Sequence, residues 1–92
     1  MVGLLTIELA IFDARTLKEK RKVMQGFKQR LRNEFNVSVE ELAHGDSPKC
    51  CTLGVAMIGR QTAALHSQFD KIVDVVRRTA GLTLLEYERD IF

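Results

Sequence analysis

Residues 37–58 read VSVEELAHGDSPKCCTLGVAMI. Two strand-forming runs flank Gly45-Asp46-Ser47-Pro48, a cluster of turn formers. In the first run Val37, Val39 and Ala43 alternate with Ser38, Glu40 and His44; the second run is Cys50 to Ile58. So short a link makes the two strands an antiparallel hairpin. Each hairpin strand then leads outward to a helix and a further strand.

Upstream, Val2 to Phe12 alternates with period two: Leu5, Ile7, Leu9 and Ile11 on one face, Leu4, Thr6, Glu8 and Ala10 on the other. Thr16 and Glu19 form a T-x-x-E capping box that opens a helix. Leu17, Met24, Phe27, Leu31 and Phe35 give that helix its apolar stripe, and Asn36 ends it. Downstream, Gly59-Arg60-Gln61-Thr62 punctuates the chain before a second helix with the stripe Leu65, Phe69, Ile72, Val73 and Val76. Gly81 stands as its C′ glycine. Leu82 to Phe92 is a last strand, with Leu85, Tyr87 and Ile91 opposite Leu84, Glu86, Glu88 and Asp90.

The order is βαββαβ. Two right-handed βαβ crossovers joined through a hairpin predict a ferredoxin-like α+β sandwich: a four-stranded antiparallel sheet with two helices on one face. The first and third strands should be central. The 92 residues make a single domain, 1–92, long enough for one two-layer core.

Hydrophobic residues at 46% and charged residues at 28% fit a soluble, folded protein, and the cysteine pair Cys50-Cys51, without CxxC spacing, fits a reducing, cytosolic compartment. No apolar run is long enough to span a bilayer. The opening MVGLLTIELAIF lacks a basic lead and carries Glu8 within the apolar run, so it reads as a strand and not as a signal peptide. Cys50 and Cys51 are adjacent, so on a strand their side chains point to opposite faces and do not form an ordinary disulfide.

Charge is unevenly placed. Net charge is only +2, yet residues 1–32 carry eight of the 14 Lys and Arg against three acidic side chains, while residues 33–92 carry six against nine. On a helical wheel at 100° per residue, Lys18, Arg21, Lys22, Lys28 and Arg32 gather on one flank of the first helix, with Gln25 and Gln29 between them. Such a stripe can track a phosphate backbone, because each lysine or arginine contact releases condensed counterions. The alternative is a solvated helix face that keeps the protein in solution. A membrane surface fits less well, since the apolar side of this helix is already committed to the core.

The open sheet face is the second candidate surface. Its central outward positions, Thr6, Glu8, Thr52, Gly54 and Ala56, include no aromatic residue on which a base could stack. Leu4, Ala10, Leu42, Ile58 and Leu84 are expected to lie exposed on it, and Leu4, Leu42, Ile58 and Leu84 are the candidate interface for a homodimer or another partner. His44, Asp46, Cys50 and Cys51 cluster near the hairpin without metal-ligand spacing, and no nucleophile–base constellation accompanies them. His66 reads as a boundary residue of the second helix. No catalytic residue, metal or cofactor is expected.

Three segments carry a resemblance. ARTLKEKR (Ala14 to Arg21), RLRNEFNVSVEEL (Arg30 to Leu42) with His44 and Asp46, and LLEYERDI (Leu84 to Ile91) make the chain similar to the YlxP-like family of small bacterial proteins of unknown function. The resemblance implies the same ferredoxin-like fold. Genes of this family often lie among those for transcription elongation, translation initiation and ribosome maturation, which implies a role near RNA or the ribosome. Between Asp46 and Thr52 this chain carries Ser47-Pro48-Lys49-Cys50-Cys51, where members often carry a bulky aromatic.

The reading is a non-enzymatic domain that binds RNA or a ribosomal particle through its basic first helix. The competing reading is an interaction or regulatory module that dimerises through its open sheet face without touching nucleic acid.

Overall fold

β1 (Val2–Ile11), α1 (Leu17–Glu34), β2 (Ser38–Ala43), β3 (Cys50–Ile58), α2 (Thr62–Arg77) and β4 (Leu82–Ile91) follow one another in the computed structural model, which describes residues 1–92. The four strands form one antiparallel sheet in the order β2-β3-β1-β4, with both helices packed on one face. This is the ferredoxin-like sandwich, with β1 and β3 central as expected.

Local chemistry sets the elements. The Thr16 hydroxyl accepts from the Glu19 backbone N–H at 3.2 Å, the forward half of the capping box, while Glu19 Oε2 accepts from the Arg15 N–H, one residue before the cap. α2 ends at Arg77, earlier than the Gly81 stop signal implies. The Thr79 hydroxyl donates to Val75 O at 2.6 Å and satisfies a terminal carbonyl. Gly81, at φ 86°, instead turns the chain into β4, where its carbonyl accepts from Phe12 N–H.

One core lies between the sheet and the helices. Leu5, Ile7, Leu9 and Ile11 from β1 meet Leu53 and Val55 from β3, Met24, Phe27 and Leu31 from α1, and Leu65, Phe69, Ile72, Val73 and Val76 from α2. Gly3 faces this core because a Cβ there would stand 2.8 Å from the Phe69 ring.

Both edge strands are irregular. On β2 the register with β3 shifts between Glu41 and Ala43, leaving Leu42 as an extra residue. On β4 the register with β1 shifts between Glu8 and Leu9, because Glu86 opposes Glu8 while Leu84 opposes Leu9, with Leu85 extra. These bulges correct two expectations. Leu84 shares the core-facing side with Leu9 and packs against the core, while Leu85 is exposed, so Leu84 is no part of the open sheet face. Ala43 opposes Thr52 on the open face, and the inward position of β2 belongs to Glu41, opposite Leu53.

Candidate nucleic-acid interface

α1 lies over β2 and α2 over β4. The flank of α1 that carries Arg30 meets α2, where the Arg30 guanidinium donates to the Thr79 hydroxyl at 3.3 Å. The opposite flank overhangs the β2 edge. Lys18 and Arg21 are exposed there with Lys28 half-buried below them, while Lys22 stands exposed on the outer ridge of the helix, where it also borders the groove shared with Arg30 and Thr79. None of these four has an acid within ion-pair distance. Arg15 extends the group at the helix start, also exposed and without an acid partner.

Arg32, the fifth residue of the expected stripe, is differently placed. Its Nη2 donates to the Val39 carbonyl at 2.8 Å and stands 3.8 Å from Glu40. It caps an outward carbonyl of an edge strand, so its fork is committed to β2. The free stripe is therefore Lys18, Arg21, Lys22 and Lys28.

Beneath this flank is a feature that the periodicity concealed. Lys20 occupies a buried position of α1, its side chain only 2% exposed, with Glu41 at 25%. The ammonium lies 2.6 Å from Glu41 Oε1 and donates to the His44 carbonyl at 2.6 Å. The approach to Glu41 is short but poorly aligned for a hydrogen bond, so the contact is chiefly coulombic. Leu17, Lys20, Met24, Phe27 and Leu31 run at continuous three-four spacing. Glu41 likewise falls on the inward parity of Val37 and Val39. Two opposite charges at inward positions of facing elements were the available signal.

The same pocket shapes Cys51, which is fully buried. Burial pushes its thiol up to about 12, the Glu41 carboxylate adds to the rise, and the Lys20 ammonium opposes it. A thiol held protonated is a poor nucleophile, so this cysteine is a packing residue. His44 takes a left-handed backbone, φ 67°, at the end of β2, where its carbonyl receives Lys20. His44, Asp46, Cys50 and Cys51 do not converge, and no group of three or more His, Cys, Asp or Glu is placed to hold a metal ion.

α2 and β4 are tied by Arg89. It faces the helices opposite Leu5, donates to His66 O at 3.2 Å, pairs with Asp70, and stacks its guanidinium 5.6 Å from the Tyr87 ring. His66 thus sits at the helix boundary, as expected, with Arg89 3.3 Å from its Nδ1.

On the open face, Leu4 and Leu42 line one shallow groove, and Ile58 lies farther along β3 beside Val2. Leu42 folds over Gly54, where a Cβ would stand 2.7 Å from its Cδ1. Leu42 is 57% exposed and Ile58 79%. Thr6, Glu8, Thr52, Gly54 and Ala56 occupy the central outward positions, and Glu8 accepts from the Thr52 hydroxyl at 2.7 Å. No helix is long and apolar enough to cross a membrane.

The comparisons with known proteins agree with one another. The chain is 30% identical over 73 residues to the uncharacterized protein YlxP of Bacillus subtilis (strain 168), an alignment covering 79% of each chain. Residues 2–89 match the model of a family described as a protein of unknown function, DUF503. From β1 to the Arg89 clamp of β4, then, this chain belongs to the DUF503 family of proteins of unknown function.

Proposed function

We propose that this protein binds RNA, or the RNA surface of a ribonucleoprotein, through the β2-side flank of α1. One observation carries the reading. Lys18, Arg21, Lys22 and Lys28 stand together on the β2-side flank and outer ridge of α1 with no acid partner, whereas the unpaired cations elsewhere, Lys49, Arg60, Lys71 and Arg77, are scattered along the chain and Arg30, Arg32, Arg78 and Arg89 are ion-paired. Unneutralised cations on a rigid helix keep their attraction for phosphate oxygens, and each contact releases condensed counterions. The family resemblance, with its ribosomal context, supports the same direction. The sheet is excluded as a base-stacking platform by its own residues, so recognition rests on the phosphate backbone and not on aromatic stacking.

A salt titration tests this. For four contacts on a single strand, the affinity for a short single-stranded RNA should fall with salt at a log–log slope of about −3. Arg21→Glu with Lys22→Glu should abolish binding while shifting stability by less than about 1 kcal/mol, since both side chains are exposed and unpaired. If wild-type protein binds no RNA at low salt, the stripe is a solvated face. Binding that survives both reversals would place the RNA site elsewhere on the molecule.

A further inference from the structure

The open sheet face divides into two unlike halves. Along β1 and β3, Val2, Leu4, Ala56 and Ile58 make an apolar strip, continued by Leu42 over Gly54. A shallow groove lined by Leu4, Ser38, Glu40, Leu42, Gly54 and Ala56 runs through it. Along β4, Glu86, Glu88 and Asp90 stand in a row opposite Glu8, Thr6 and Leu4. The intervening Tyr87 and Arg89 point to the helices, so no cation from β4 reaches this row. Glu86, Glu88 and Asp90 make no ion pair, and Glu8 and Glu86 are like charges placed directly across from each other.

We propose that this face is the docking surface for a cationic amphipathic helix of a partner protein, laid along the strands. Alternate residues on a strand lie about 6.8 Å apart. Cations at i, i+4 and i+8 on a helix lie about 6 Å apart, so three of them match Glu86, Glu88 and Asp90 in turn. The apolar stripe of the same helix then covers Leu4, Ala56, Leu42 and Ile58. Each half of the face meets its complement.

A second copy of this chain fits less well. In a face-to-face pair with the two-fold axis along the strands, the acidic row of one copy lies over the apolar strip of the other. With the axis across the strands, acid lies on acid. Both arrangements desolvate carboxylates without a counter-charge. The basic flank of α1 does not serve as the occupant either, because between Lys18 and Lys22 it offers no apolar residue outside the core side for Leu42 and Ile58.

The test uses the whole chain and two synthetic peptide helices. One carries leucines on one face and lysines at i, i+4 and i+8 along its flank; its twin has glutamine in place of lysine. The lysine peptide should bind, with amide shifts confined to the open-face strands, and the glutamine twin should bind at least about tenfold more weakly. Glu86→Lys with Glu88→Lys should weaken the lysine peptide by a similar factor, and so should Leu42→Ser with Ile58→Ser. All four side chains are exposed, so far-UV circular dichroism should stay unchanged. Arg21→Glu with Lys22→Glu should leave peptide binding intact, which separates this surface from the RNA flank. The proposal is overturned if neither peptide shifts the sheet amides or if both bind equally. A concentration-dependent dimer that Leu42→Ser with Ile58→Ser dissociates would overturn it too, assigning the face to a second copy.

Discussion

Removing one member of the Lys20–Glu41 pair should be costly, and the two choices should differ. At an effective dielectric of about 20, charges 2.6 Å apart attract by roughly 6 kcal/mol, against a desolvation penalty of several kcal/mol per ion. The intact pair is therefore near neutral relative to well-packed apolar side chains, while a stranded charge is not. Glu41→Leu leaves the 2%-exposed ammonium with the His44 carbonyl alone, and should cost about 3–5 kcal/mol. Lys20→Met leaves a carboxylate whose Oε1 is buried but whose side chain is 25% exposed and can turn to water, so about 1–3 kcal/mol is expected. The double variant should return to within about 1 kcal/mol of wild type. Urea denaturation followed by circular dichroism, analysed as a double-mutant cycle, gives the coupling directly, expected at about 3 kcal/mol or more. Additive single costs, with coupling under about 0.5 kcal/mol, would refute the buried pair. A larger cost for Lys20→Met than for Glu41→Leu would refute the asymmetry. Should Glu41→Leu fail to fold, the double variant still decides, because it must fold.

Two further outcomes follow from the packing. The Cys51 thiol stands at about 12 in the folded chain against 9.0 ordinarily, so the unfolded state releases its proton first. Stability should then decline as pH rises from about 9 towards 12, and Cys51→Val should remove that part of the decline in alkaline melts; identical slopes would contradict the burial. Gly3→Ala drives a methyl to 2.8 Å from the buried Phe69 ring and should cost about 1–3 kcal/mol, whereas Gly54→Ala meets only the mobile end of exposed Leu42 and should cost less than about 1 kcal/mol. Thermal melts of the pair showing the reverse order would overturn the assignment of the two sheet faces.

The sequence made the framework legible because its signals are local. Thr16 and Glu19 marked a helix start, Gly45 to Pro48 marked a hairpin, and alternation marked strands whose order then fixed the central pair. What escaped depends on contacts between distant residues. Leu84 and Leu85 exchanged faces because a bulge adds one residue without a local signature, and period-two counting has no means of skipping it. Lys20 and Glu41 were passed over because a charge at an inward position reads as an interruption until its partner is seen across the core. Arg32 counted as a free cation on the wheel, yet its guanidinium is held by a carbonyl of a strand that packs beneath it. The exposure of Lys18, Arg21 and Lys22 was legible because exposure on a helix follows from its own period.

The two bulges also bear on how the protein avoids self-propagating aggregates. A sheet grows when a foreign strand finds a long, regular row of unpaired amides and carbonyls at its margin. Here the central strands pair without interruption, whereas Leu42 breaks the rhythm of one margin and Leu85 that of the other. Arg32 occupies a carbonyl on the β2 margin as well. Neither margin therefore offers its full length as a regular template, which disfavours lateral growth of the sheet.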